Sequence, residues 1–131
     1  MKTRVVAVAA ALVLIASVNA LAQGDQLSNV TGLVDQARAS FDQLDYENTV
    51  KALDSAIGAI EARPTPELRR LLPPAYDLRA RSLFGLGKED AARADFIALL
   101  KVEPGYVLTG QVSPRIIDMF DEVTRVTVTG T

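Results

Sequence analysis

Ala80-Arg81-Ser82-Leu83-Phe84-Gly85-Leu86-Gly87-Lys88-Glu89-Asp90, continuing to Ala92, Phe96, Leu99, Leu100 and Pro104, is the stretch that decides the fold. Apolar residues recur at helical spacing on both sides of Gly85 and Gly87, so the segment reads as helix, tight turn, helix. The second of these helices, from about Glu89 to Val102, places Ala92, Phe96, Leu99 and Leu100 on one face, and Glu103-Pro104-Gly105 terminates it. A matching stretch lies 43 residues upstream: Ala37-Arg38-Ala39-Ser40-Phe41-Asp42-Gln43-Leu44-Asp45-Tyr46-Glu47, continuing to Leu53, Ala56 and Ile57. Both open on Ala-Arg and a small residue, and Ala37 to Leu53 spans the same length as Ala80 to Phe96. The chain therefore carries two helical hairpins of equal internal length.

Around them, Val34, Ala37, Phe41 and Leu44 form the apolar stripe of a first helix, and Asp45 is placed to cap a second through its side-chain oxygen. That second helix carries Val50, Leu53, Ile57 and Ile60 and stops at Arg63-Pro64. Thr65-Pro66-Glu67 is a capping hydroxyl followed by proline in the first helical position, so a new helix starts there. Pro73-Pro74 then either kinks that helix or breaks it into a short helix and a new one. Tyr106 to Val112 reads as an ordered loop. Ser113-Pro114 repeats the cap-then-proline signal and opens a last helix with Ile116, Ile117, Phe120 and Val123 on one face. Val126-Thr127-Val128-Thr129 alternates with period two, a strand pattern with no evident partner.

The paired hairpins resemble the tetratricopeptide repeat over roughly residues 28 to 104. Ala80 stands at the small position of the first helix, Gly87 at the turn, Ala92 at the small position of the second helix, Phe96 at the large one and Pro104 at the terminating proline. Small residues let antiparallel helices approach to about 8–10 Å, and large ones fill the next gap. The first unit departs at Thr49, where the family has alanine, and at Glu61, where it has proline. The 43-residue offset also exceeds the family's period of about 34, with the excess around Pro64 to Pro74. The resemblance implies an all-α fold of two hairpins plus a C-terminal helix, a concave groove lined by the first helix of each unit, and a protein or peptide partner lying in it. Val34, Arg38, Phe41 and Asp42 of the first unit, and Asp77, Arg81 and Phe84 of the second, are the implied groove positions. Phe41 and Phe84 also sit on the apolar stripes. Arg38 and Arg81 suit the carboxylates of an acidic peptide or a chain end; alternatively they pair along their own helices with Asp42 and Asp77.

At the N-terminus Lys2 and Arg4 precede an apolar run from Val5 to Ser17, and Ala20-Leu21-Ala22 closes it. That is the pattern of a secretory signal over residues 1–22, cleaved after Ala22 or, nearly as well, after Ala20 (Val18-Asn19-Ala20), with an uncut membrane anchor as the alternative. The expected organisation is thus a signal over 1–22, a helical domain over 23–125 and an extended tail over 126–131. The segment from Ser113 to Val123 with the Val/Thr tail resembles bacterial exported proteins in which such repeats precede a small PEGA-type β-domain, so the tail is expected to begin one. Periplasmic or secreted bacterial localisation follows.

The 131 residues hold 14 Lys+Arg against 16 Asp+Glu, and no His, Cys or Trp. Without residues 1–22, which contain Lys2 and Arg4, 12 basic and 16 acidic groups remain, a net of −4. An acidic surface gives no electrostatic reason to approach phosphate backbones, so nucleic acid is not an expected partner. Thiolate nucleophiles, imidazole bases and the usual zinc ligands are excluded by composition. Gly85-Leu86-Gly87-Lys88 lacks the spacer and the Ser/Thr of a phosphate loop and joins two helices. The acidic pairs Glu89-Asp90 and Asp121-Glu122 suit a helix start and a solvated face. No catalytic residue, cofactor or metal is expected, and no membrane span after signal cleavage. The expected function is non-catalytic protein interaction or scaffolding; the alternative is a spacer or self-associating element for a downstream β-domain.

Overall fold

Two turns separated by 43 residues close with the same hydrogen bonds. In the computed structural model, which describes residues 24–129, α1 covers residues 24–42 and α2 covers Tyr46–Ala62. Between them Leu44 adopts φ 61°, its N–H donates to the Phe41 carbonyl at 2.8 Å, and the Asp45 N–H donates to that of Ser40 at 2.9 Å. After α3 (Pro66–Arg69) come α4 (Leu72–Gly85) and α5 (Glu89–Val102). There Gly87 adopts φ 78°, its N–H donates to Phe84 at 3.0 Å, and the Lys88 N–H donates to Leu83 at 2.8 Å. Both are Schellman closures, which need one left-handed residue just past the helix end. Glycine meets that need without strain in the second hairpin, whereas leucine does so under strain in the first.

Leu44 is exposed, so its side chain contributes little packing. Relief of about 1–2 kcal/mol of left-handed strain, less about 0.5–1 kcal/mol of added unfolded-state entropy, makes Leu44→Gly stabilising by a few tenths to about 1 kcal/mol. A rise in thermal midpoint followed by circular dichroism checks this; a fall refutes it.

The expected helix starts are realised by side-chain caps. Asp45 accepts from the Asn48 N–H at 3.2 Å, Thr65 from the Leu68 N–H at 3.2 Å, and Ser113 from the Ile116 N–H at 3.3 Å. Of the two outcomes left open at Pro73-Pro74, the chain takes the break. α3 ends at Arg69, and α4 restarts at Leu72 with the prolines in its first turn, where their missing N–H groups are not needed.

Side-chain size then sets the packing. Ala37, Ala56, Ala80 and Ala92 are fully buried, and Phe96 is the largest fully buried side chain. Thr49 is also fully buried, and its hydroxyl donates to the Asp45 carbonyl at 2.7 Å. The first hairpin joins the second through Tyr46, whose ring stands on the α4 terminus. A Cβ at Gly85 would lie 2.6 Å from Tyr46 Cε2, so any side chain there would displace the Tyr46 ring.

α6 (Pro114–Thr129) packs on α5 through Ile116, Met119, Phe120 and Val123. Arg115 and Glu89, in the opening turns of the two helices, pair at 2.8 Å; further along, Phe120 meets Phe96 edge-on at 5.3 Å and Arg93 pairs with Glu122 at 3.1 Å. These contacts make α6 run in the same direction as α5, capping the hairpin stack.

The extended tail expected over 126–131 is corrected here: residues 126–129 are the last turn of α6. An isolated strand would leave its backbone groups without protein partners, whereas helix satisfies them internally. The β-branched Thr124 is accommodated by donating its hydroxyl to the Phe120 carbonyl at 2.8 Å. Among the described residues there is no strand. The signal segment over 1–22 and the final residues 130 and 131 lie outside the described residues.

Candidate peptide-binding groove

One face of α4 presents Asp77, Arg81 and Phe84 at successive helical turns, beside Arg38 of α1. Arg38, Asp77 and Arg81 line a cleft of about 270 Å³ with Pro74, Leu78, Tyr106 and Thr109. Three of the seven expected groove residues are thus brought together. The other four lie elsewhere. Val34 is buried in the core on the stripe that α1 shares with Val30 and Ala37. Phe41 is half-buried against the Tyr46 ring, centroids 5.7 Å apart. Phe84 is half-buried under the Arg115 guanidinium at 5.4 Å. Asp42 is exposed outside the cleft lining.

The two arginines that look equivalent in sequence do different work. Arg81 donates through Nε to Asp77 Oδ1 at 2.7 Å and through Nη2 to Oδ2 at 3.1 Å, the four-residue pairing along one helix. Its Nη2 also donates to the Thr109 carbonyl at 2.9 Å. Arg38 is exposed and, among the described residues, makes no ion pair or hydrogen bond, so pairing with Asp42 is not realised. The cleft therefore holds one neutralised guanidinium and one uncommitted one.

Tyr106 and Thr109 were not among the expected groove residues. Both come from the loop that joins α5 to α6, and local sequence does not say which helix face a loop crosses. The available signal was Tyr106 itself, an aromatic in a glycine-containing linker. Its hydroxyl donates to Asp77 Oδ2 at 2.7 Å, so the buried carboxylate is held from both sides. Burial and then the Asp77 hydrogen bond push the Tyr106 phenol well above its ordinary pKa.

On another side of α4, Tyr76 donates to Glu61 Oε1 at 2.8 Å, and burial followed by that bond pushes its pKa up to about 12. A phenol whose folded pKa is raised stabilises fully below its unfolded pKa of about 10 and loses that contribution as pH rises through the folded value. Thermal stability should therefore fall between about pH 10 and 12, and the Tyr76→Phe/Tyr106→Phe variant should show a shallower decline. An equally steep decline in the variant refutes the assignment.

A larger open depression of about 830 Å³ includes Ile60, Leu72 and Val102, with Arg69, Arg70 and Lys101 interspersed with Glu61 and Glu103. Its mixed charges favour no single ligand chemistry. Among the described residues no cluster of three or more acidic groups could hold a metal ion, and no helix is long and apolar enough to cross a membrane. Comparison of this chain with protein-family models, characterised proteins and solved structures finds no match.

Proposed function

We propose that this chain is a non-catalytic peptide-binding module made of two tetratricopeptide-like hairpins, serving protein interaction or scaffolding in a bacterial cell envelope. The equal turns of the two hairpins and their buried alanines support the tetratricopeptide-like reading. The basic, apolar and Ala-x-Ala succession at the N-terminus supports export. Asp77 and Asp95 support a non-catalytic role, because each carboxylate is tied into a structural pair with an arginine.

The observation that carries the reading is the Arg38 guanidinium, exposed and uncommitted among the described residues, at a cleft that the α5–α6 loop also lines through Tyr106 and Thr109. Such a group binds a carboxylate, from an acidic side chain or a chain end, through charge-assisted hydrogen bonds worth about 1.5–3 kcal/mol. A peptide display library panned against residues 23–131 should return acidic sequences or free carboxyl ends. Arg38→Glu should then weaken their binding about tenfold or more without changing the circular dichroism. A library that returns no acidic sequence or free carboxyl end, or affinities of the acidic peptides indifferent to Arg38→Glu, refutes the proposal. Self-association insensitive to that substitution would favour the spacer alternative.

A further inference from the structure

We propose that the α4 wall of the groove recognises an extended, tyrosine-bearing peptide, and that residues 106–112 of this chain are its resident, displaceable ligand. The inference rests on the peptide-binding reading above and deepens it. Because α6 runs in the same direction as α5, the chain between them must travel back along the hairpin, and it does so across α4. Tyr106 reaches Asp77, the Thr109 carbonyl reaches Arg81 one helical turn on, and Arg115 covers Phe84 at the helix end. The three expected groove positions of the second unit are thus met, in chain order, by the molecule's own backbone and side chains.

The chemistry of these contacts defines what else could lie there. Tyr106, Leu108 and Val112 are half-buried, whereas Val107 and Thr109 are exposed, so the first residues alternate as an extended chain does. A buried carboxylate accepting a phenol selects the side chain. A guanidinium donating to a backbone carbonyl three residues later accepts any residue in extended conformation. A partner of the same kind carries tyrosine followed two residues later by a branched apolar side chain. The resident segment competes with it because its tether gives it an effective concentration on the order of millimolar. None of its residues is fully buried, whereas the helices carry the buried core, so it can open locally while the hairpins stay folded.

The test titrates a synthetic peptide of residues 104–113 calorimetrically into the intact chain and into Tyr106→Ser/Leu108→Ser, whose segment is loosened. The loosened chain should bind about tenfold tighter or better, and a peptide with phenylalanine in place of the tyrosine should bind about tenfold weaker. Equal affinity for both chains, binding to neither, or indifference to the phenol overturns the inference. Should the double variant fail to fold, Tyr106→Phe is read by hydrogen exchange. Amides 106–112 should then exchange about tenfold faster with α2, α4 and α5 unchanged, and unchanged exchange of that segment overturns it. Arg38 makes no hydrogen bond to the segment, so Arg38→Glu should leave binding of this peptide intact. Loss of the selected acidic peptides in Arg38→Glu, with no binding of the 104–113 peptide, would sink this inference and leave the peptide-binding reading standing.

Discussion

Phe96→Ala is expected to remove about 3–5 kcal/mol of folding stability, a large share of the roughly 5–15 kcal/mol that holds a typical domain together. Phe96 is fully buried on α5, and its ring meets Phe120 of α6 edge-on, centroids 5.3 Å apart. Truncation therefore empties the centre of the second hairpin and removes the aromatic pair that seats the capping helix, itself worth about 0.5–1.5 kcal/mol. Urea denaturation followed by circular dichroism reads the loss. A cost below about 1 kcal/mol would mean that α4, α5 and α6 do not close around this ring.

Asp95→Ala should be comparably severe, for an electrostatic reason. Asp95 is buried on α5 and receives both Nε and Nη2 of Arg79 at 2.8 Å. Arg79 also reaches Asp54 of α2 at 3.0 Å, so one guanidinium clamps three helices. Burial opposes the Arg79 charge, but the two aspartates outweigh it and leave its pKa above the ordinary value. Removing Asp95 leaves a largely buried cation with only the exposed Asp54 and should cost up to about 3–5 kcal/mol. Asp54→Ala removes the exposed end of the same clamp and should cost less than about 1 kcal/mol. Replacing Arg79 and Asp95 together by Met and Leu should recover most of the Asp95→Ala loss, because the one charge then left without its partner, Asp54, is exposed to water. Equal urea midpoints for Asp95→Ala and Asp54→Ala would refute the clamp.

The groove shows where local chemistry ends and packing begins. Arg38 and Arg81 occupy the same place in two matching segments, but the acidic neighbour stands four residues before Arg81 (Asp77) and four residues after Arg38 (Asp42), and only the first order is realised as a pair. A loop 28 positions beyond Arg81 also folds over it and supplies a carbonyl, while Arg38 has no such visitor. The pairing of Arg81 with Asp77 was legible as a four-residue spacing; that Tyr106 would complete the site was not.

What the sequence by itself determined is local. Asp45, Thr65 and Ser113 start helices through bonds to N–H groups three residues away, and the two hairpin turns at Leu44 and Gly87 close with the same short-range bonds. These interactions lie within a few residues along the chain, so residue order alone encodes them, and the all-α class follows. Tertiary structure alone decided that α6 runs alongside α5, that Val126–Thr129 coil into it, and that residues 106–112 lie along α4. Those outcomes depend on which apolar faces remain uncovered after the hairpins have nested, and such surfaces exist only once distant parts of the chain have met.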